Sequence, residues 1–415
     1  MKYSKRKTSV PDGMRDLIYD DAALLNATVK KLEEVYERNY YRPVITPGIE
    51  FLEVLDCGAI SADTMYKLSD TSGRLIALRA DNTTPIARIA ATKLGEDTKK
   101  IPQKIYYSQD VFRCDKDYTG RRNEIRQSGI EIIGPGGLKS DICAISTALE
   151  ALEAIGLPYK LEIGHVGFYN SLVDELDMTT DEKEELRKYV EAKNYVSLSF
   201  LKESGADADE GGKKSEKRKA LYDRIRKVPL LFGNEEIFDK AKAVAGSNEN
   251  ASAAVEYVKN LYGIMQSAGY KSEIMVDFGI VHEIDYYTGI VFRGYVEGAG
   301  EAVLSGGRYD GFISNFGKDI PATGFAINVS AVSDALMKIN KKNEKDEIRN
   351  DVLIYFEPED FSRARRFRSE MIAGGRGCEY SHADNILDSI EYARVNKIRT
   401  VAIIKGDTIE LKELY

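Results

Sequence analysis

Cysteine and histidine are scarce and scattered. The four cysteines, Cys57, Cys114, Cys143 and Cys378, include no CxxC pair, which argues against a zinc knuckle or a disulfide framework. His165, His282 and His382 are equally dispersed, so a multi-histidine metal site is not expected, and no cofactor is expected either. No apolar run approaches the roughly 20 residues that a membrane helix needs. The basic N-terminus, Met1 to Lys7, leads into Pro11-Asp12-Gly13 and not into an apolar signal core, so a cytoplasmic protein without membrane contact is expected. Positive charge is not in excess. A net charge of −8 argues against a large nucleic-acid footprint. Phosphate loops of the GxxxxGK or GxGxxG kind are missing, and no internal repeat is apparent.

What remains is a chain of 415 residues, 43% hydrophobic and 30% charged, long enough for two or three domains. Leu25, Val29, Leu32 and Tyr36 recur at helical spacing. Tyr41 to Pro47 reads as an extended segment that its two prolines confine to an edge or interface. Leu75 to Arg79 reads as a strand, and Pro85 opens a helix over Ile86 to Leu94. Asp81 and Thr83, between them, are either helix caps or receivers of a ligand's ammonium group. Lys104 to Arg113 and Glu124 to Ile133 alternate as strands. The period of two puts Gln127, Gly129 and Glu131 on one face, so Gly129 is expected to leave open floor for a small ligand. Arg113, on the partner strand, is a cation suited to a carboxylate or phosphate. Ser140 is expected to cap a helix that Gly156 ends.

Residues 170–269 are charged and helical, an insertion between two sets of strands. Ile274 to Val276 and Ile290 to Phe292 then read as buried strands around His282, Glu283, Asp285, Tyr286 and Tyr287. That stretch is either an antiparallel hairpin with its polar residues in solvent or one wall of a pocket. Ser305 to Gly311 reads as a glycine-rich turn, Pro321 to Asn328 as a strand, and Val329 to Ile339 as a helix. Residues 341–350 read as a linker, and 351–415 as a small α/β unit.

Taken together, these segments resemble the histidyl-tRNA synthetase family over residues 1–340 and into the C-terminal unit. Val111-Phe112-Arg113, Gly120-Arg121 and Gln127 to Glu131 are similar to the second class-defining motif, and Ile284 to Gly289 to the histidine signature. Gly306 to Asp310 and Ala322 to Ile327 match later blocks, and Pro43 to Glu50 the first motif, at the dimer interface. The resemblance implies an α+β fold: a class II aminoacyl-tRNA synthetase-like antiparallel sheet flanked by helices, with a helical insertion and a small C-terminal α/β domain. It implies a homodimer and a histidine pocket in which Asp81 and Thr83 receive the α-amino group, Gln127 and Glu131 face the amino acid, and Tyr287 with Tyr286 recognises the imidazole.

The departures from that pattern bear on activity. Where the signature carries an arginine and a glycine, this chain has His282 and Glu283; where the third motif carries its ATP-holding arginine, it has Ala331. Asn123 replaces a further arginine, with Arg122 beside it as a possible substitute. Removing one charge-stabilising group costs on the order of 3 kcal/mol, about a hundredfold in rate. The C-terminal unit is expected to be a truncated anticodon-binding domain, because the family's final helix is not matched and His382 to Tyr392 carries no lysine or arginine. No tRNA binding is therefore expected. A synthetase-like chain with the amino-acid floor kept and the phosphate arginines lost is similar to the regulatory subunits of ATP phosphoribosyltransferase. That resemblance implies a non-catalytic subunit in a hetero-octamer with a short-form catalytic partner, and feedback by histidine. The alternatives are an active histidine–tRNA ligase and a stand-alone histidine sensor or a protein modifying another substrate.

Overall fold

The structure is a computed structural model, and it describes residues 5–58, 60–94, 101–114, 122–176, 178–198, 213–281, 286–343 and 349–415. His282, Glu283 and Asp285, and Gly120 and Arg121 of the central loop, lie outside the described residues. The chain divides into two units, Met1–Lys338 and Ile339–Tyr415.

The larger unit opens with α1 (Tyr19–Arg38), whose buried face is Thr28, Leu32, Val35 and Tyr36. β1 (Arg42–Pro43) follows, a two-residue edge strand beside which prolines are tolerated. Next come β2 (Ile49–Phe51), α2 (Leu52–Leu55), β3 (Lys67–Ser69) and β4 (Leu75–Leu78), with the three strands forming a separate sheet ordered β2-β4-β3. α3 (Thr83–Thr92) starts two residues before Pro85, which therefore sits inside the first turn.

β5 (Gln103–Phe112) and β6 (Glu124–Ile133) pair antiparallel along their full length, with Ile105 opposite Glu131, Tyr107 opposite Gly129 and Gln109 opposite Gln127. The alternation read from the sequence sets this register, because a slip of one residue would turn Ile130 and Ile132 out of the core. α4 (Leu138–Ile155) begins earlier than Ser140. Gly137 is its N-cap, and the Ser140 hydroxyl instead donates to the Pro135 carbonyl at 2.7 Å. Gly156, in the left-handed region at φ 83°, ends it.

After β7 (Tyr159–His165) come α5 (Val166–Val173), α6 (Thr180–Glu191), α7 (Lys213–Ile225), the short β8 (Phe232–Gly233), α8 (Ile237–Ala245) and α9 (Glu249–Ser267). The sheet then resumes with β9 (Ile274–Asp277), β10 (Ile290–Val296), β11 (Leu304–Arg308) and β12 (Ala322–Asn328), and α10 (Val329–Asn343) leaves it.

The principal sheet has nine strands, ordered β1-β5-β6-β12-β11-β10-β7-β9-β8. This order corrects the hairpin reading of Phe278 to Phe292. β7 lies between β9 and β10, parallel to the first and antiparallel to the second, so these two strands do not pair as a hairpin. It also corrects the glycine-rich turn: Gly306 and Gly307 lie inside β11, where their missing side chains make room for the rings of Phe292 and Tyr287. One face of the sheet carries Tyr106, Ile130, Phe292 and Phe325. Tyr36 of α1 packs against Tyr106 and Phe325 there, with ring centroids at 5.7 and 6.1 Å. The opposite face carries Ile105, Glu131, Gly324 and Gly307 in one row across four strands, and it is the face that α3 approaches.

The smaller unit is a four-stranded sheet, ordered β14-β13-β15-β16, of β13 (Arg349–Phe356), β14 (Cys378–Tyr380), β15 (Ile398–Lys405) and β16 (Thr408–Glu413). α11 (Phe361–Ala373) and α12 (Ile386–Val395) each pack into one of its two apolar clusters. α10 runs to Asn343 and β13 starts at Arg349; residues 344–348 between them are outside the described set.

Candidate functional site

Glu131 is the centre of the site. Its side chain is 2% exposed and is held from two sides: Thr83 Oγ1 donates to Oε1 at 3.0 Å, and the Tyr309 hydroxyl donates to Oε2 at 2.6 Å. Gly324, directly across on β12, makes this possible, since a Cβ there would stand 1.9 Å from Glu131 Oε2 and 2.3 Å from the Ile130 carbonyl oxygen. Burial, with Asp81 nearby, pushes the Glu131 carboxyl up to about 8, and the two hydrogen bonds oppose that rise only in part.

Asp81 and Thr83, alike as a pair in the sequence, do different things. Asp81 is buried and accepts from Thr84 at the backbone N–H (2.6 Å) and at the hydroxyl (2.9 Å), which is a cap of α3. Burial raises its carboxyl above the usual range, opposed by those bonds and by Arg113. Thr83 makes no such cap; it reaches Glu131 and also the hydroxyl of Tyr286. Arg113, half-buried, donates from Nε to the Ala80 carbonyl at 2.8 Å, next to Asp81. Its guanidinium pKa is lowered by burial, and Asp81 works against that. Gln127 accepts from Asn82 Nδ2 at 3.3 Å, on the same face as Glu131.

The aromatic wall comes from the residues that lead into β10 and from those that follow β11. Tyr286 stacks on Phe312 at 4.4 Å, with Tyr287 at 5.2 Å and Tyr309 at 5.7 Å in edge contacts. The Tyr287 ring lies against Gly307, where a Cβ would meet it at 2.8 Å. The structure thus brings Asp81, Thr83, Arg113, Gln127, Glu131, Tyr286 and Tyr287 into one connected cluster. It does not leave Gly129 as open floor, because the Tyr107 hydroxyl would stand 2.7 Å from a Cβ there. Tyr107, Tyr309 and Asn82 are site residues that the sequence reading did not assign. Tyr309 was within reach, two places beyond Gly307 in a segment already singled out.

Arg308, in the same segment, has a structural role. It is 6% exposed and donates to Asp141 from Nε (3.2 Å) and from the guanidinium (2.6 Å), while Tyr257 also donates to Asp141. Ala331 lies in the first turn of α10, its N–H donating to Asn328 Oδ1 at 3.0 Å. One turn on, Asp334 accepts from Arg122 at 2.6 Å and from Arg15 at 3.0 Å. Arg122 is therefore tied down, and does not stand in for the arginine replaced by Asn123. Asn123 itself is buried and donates to the Asp12 carbonyl and the Tyr66 hydroxyl. Among the described residues, no group of three or more His, Cys, Asp or Glu side chains is placed to hold a metal ion, and no helix is long and apolar enough to cross a membrane.

Asp81 and Glu131 are acceptors of the kind that suits an ammonium, Arg113 is a cation, and tyrosines surround the remainder. This architecture and pocket define a chain of the histidyl-tRNA synthetase class, and the family model described as "Histidyl-tRNA synthetase" matches residues 13–332. Two ATP phosphoribosyltransferase regulatory subunits are similar over almost the whole chain. The one from Clostridium botulinum (strain Langeland) is 36% identical, covering 96% of this chain and 92% of its own length. The one from Bacillus cereus (strain G9842) is 35% identical, covering 97% and 93%. A solved structure from Bacillus halodurans, described as an ATP phosphoribosyltransferase regulatory subunit/histidyl-tRNA synthetase, matches with a TM-score of 0.82 at 26% identity, over 96% of this chain and 98% of that one. The chain belongs to the family of ATP phosphoribosyltransferase regulatory subunits.

Proposed function

We propose that this chain is a non-catalytic regulatory subunit of ATP phosphoribosyltransferase in the first step of histidine biosynthesis. It assembles with a short-form catalytic subunit in a hetero-octamer, is required for that subunit's activity, and takes part in feedback by histidine. One arrangement carries the non-catalytic part of the reading. Around Glu131 the described residues suited to an amino acid are brought together, while at the start of α10 Ala331 stands in place of an arginine and Asp334 pairs with both Arg15 and Arg122. Adenylate formation needs uncompensated cations on the phosphates. A pocket that holds an amino acid without activating it is a receptor.

Histidine in this pocket would act by binding one state of the assembly better than another, the sole way in which a ligand moves an equilibrium. The second reading, an active histidine–tRNA ligase, is favoured by the same cluster around Glu131. Histidine-dependent exchange of pyrophosphate into ATP separates the two. The purified chain is expected to show none, and clear exchange would overturn the regulatory reading.

A further inference from the structure

Asn82 stands between Asp81 and Thr83, and the site as described so far gives its side chain no task. It is the N-cap residue of α3, where an asparagine ordinarily accepts a backbone N–H two or three residues on. Here it does not. Its backbone is helical, at φ −95° and ψ −25°, its side chain makes no cap, and Asp81 binds the Thr84 N–H in its stead. The amide turns towards the sheet: Nδ2 donates to Gln127 Oε1 at 3.3 Å. Oδ1 is buried in a residue 1% exposed and has no hydrogen-bond partner among the described residues.

A buried carbonyl without a donor costs free energy that the fold itself does not recover. Its surroundings say which donor would satisfy it. Asp81 precedes it, Glu131 is reached by the next residue, Thr83, and its own partner Gln127 lies on the Glu131 face of β6. An oxygen acceptor flanked in the chain by Asp81 and by Thr83, which bonds the Glu131 carboxylate, suits a group with several donors and a positive charge, and an ammonium has three donors and no acceptor.

We infer that the Asn82 side-chain carbonyl accepts a hydrogen bond from the α-ammonium of the amino acid bound in this pocket, with Gln127 fixing the amide's orientation. The inference rests on the amino-acid reading of the pocket given above. It makes Asn82 a specificity residue for the amine of the ligand, and not for its carboxylate or ring.

The test is calorimetry on the full chain with three ligands: L-histidine, histamine, which lacks the carboxylate, and 3-(imidazol-4-yl)propionate, which lacks the amine. Asn82→Ala is expected to weaken L-histidine and histamine about tenfold or more, the range of a hydrogen bond to a charged group, and to leave the amine-free acid within about twofold. Asn82→Asp, which keeps an acceptor oxygen, is expected to hold L-histidine near the wild-type affinity. Urea midpoints establish that both variants fold. Equal losses on all three ligands, a loss confined to the amine-free acid, or no loss at all would each overturn the assignment of Asn82 alone. If the wild-type chain bound none of the three, the amino-acid reading would fall, and this inference with it.

Discussion

Replacing Glu131 by glutamine removes a buried ionisable group and keeps a side chain of the same shape. Burial raises the carboxyl from an ordinary 4.5 to about 8. A carboxyl whose folded value lies above its unfolded one holds its proton more tightly when folded. Its contribution to stability is therefore full below about pH 4.5 and is lost as pH rises towards 8. At about 1.4 kcal/mol per pH unit over that window, the loss is on the order of 4–5 kcal/mol, with roughly 3 kcal/mol already gone at pH 7. Glutamine does not titrate. In urea unfolding at pH 5, 6, 7 and 8, wild type and Glu131→Gln are expected to be comparable at pH 5 and to diverge upwards, the variant being more stable by a few kcal/mol at pH 8. The same substitution is expected to weaken L-histidine at pH 8 at least tenfold, because the ligand's ammonium loses a charged partner. Parallel stability profiles across the pH range would refute the burial argument, and undiminished affinity would refute the placement of the ammonium.

Four further substitutions probe the frame around the site. Gly324→Ala puts a Cβ into the Glu131 carboxylate and the Ile130 carbonyl, and is expected to cost about 2–3 kcal/mol by urea midpoint and to abolish ligand binding; an unchanged midpoint would contradict the contact. Asp141→Asn leaves the buried Arg308 without its main carboxylate and is expected to cost about 3–5 kcal/mol, whereas Asp310→Asn, at the more exposed end of the same guanidinium, is expected to cost under about 1 kcal/mol. Equal costs would mean that Arg308 is held by packing alone. Asp334→Ala releases Arg15 and Arg122, and is expected to strengthen tripolyphosphate binding severalfold at low salt by calorimetry while producing no pyrophosphate exchange. An unchanged affinity would show that these arginines do not face the phosphate side.

The pairing of β5 with β6 was legible because alternation carries side-chain direction, and direction is what gathers Gln127 and Glu131 on one face. Strand adjacency was not. Nothing local to Ile274 or Ile290 records that β7, more than a hundred residues earlier, lies between them. The same limit hid the bonds of Arg122 to Asp334 and of Arg308 to Asp141, which join residues 212 and 167 positions apart. Glycine was misread in opposite ways. Gly129 seemed to make space that Tyr107 in fact fills, and Gly306 and Gly307 seemed to make a turn where they instead admit two rings into a strand. A missing side chain announces close approach, and the sequence does not say by what. Asn82 was not assigned because nothing in the sequence says that its amide turns away from the helix towards Gln127, while Asp81 is the cap that the sequence offered.

The claim that this pocket belongs to a receptor whose output is another protein's activity is tested most directly by mixing. A short-form ATP phosphoribosyltransferase catalytic subunit is assayed alone, with this chain, and with this chain plus L-histidine. The account predicts little activity alone, activity on adding this chain, and loss of that activity with histidine. A catalytic subunit that is fully active alone, or that stays inactive in this chain's presence, would contradict it.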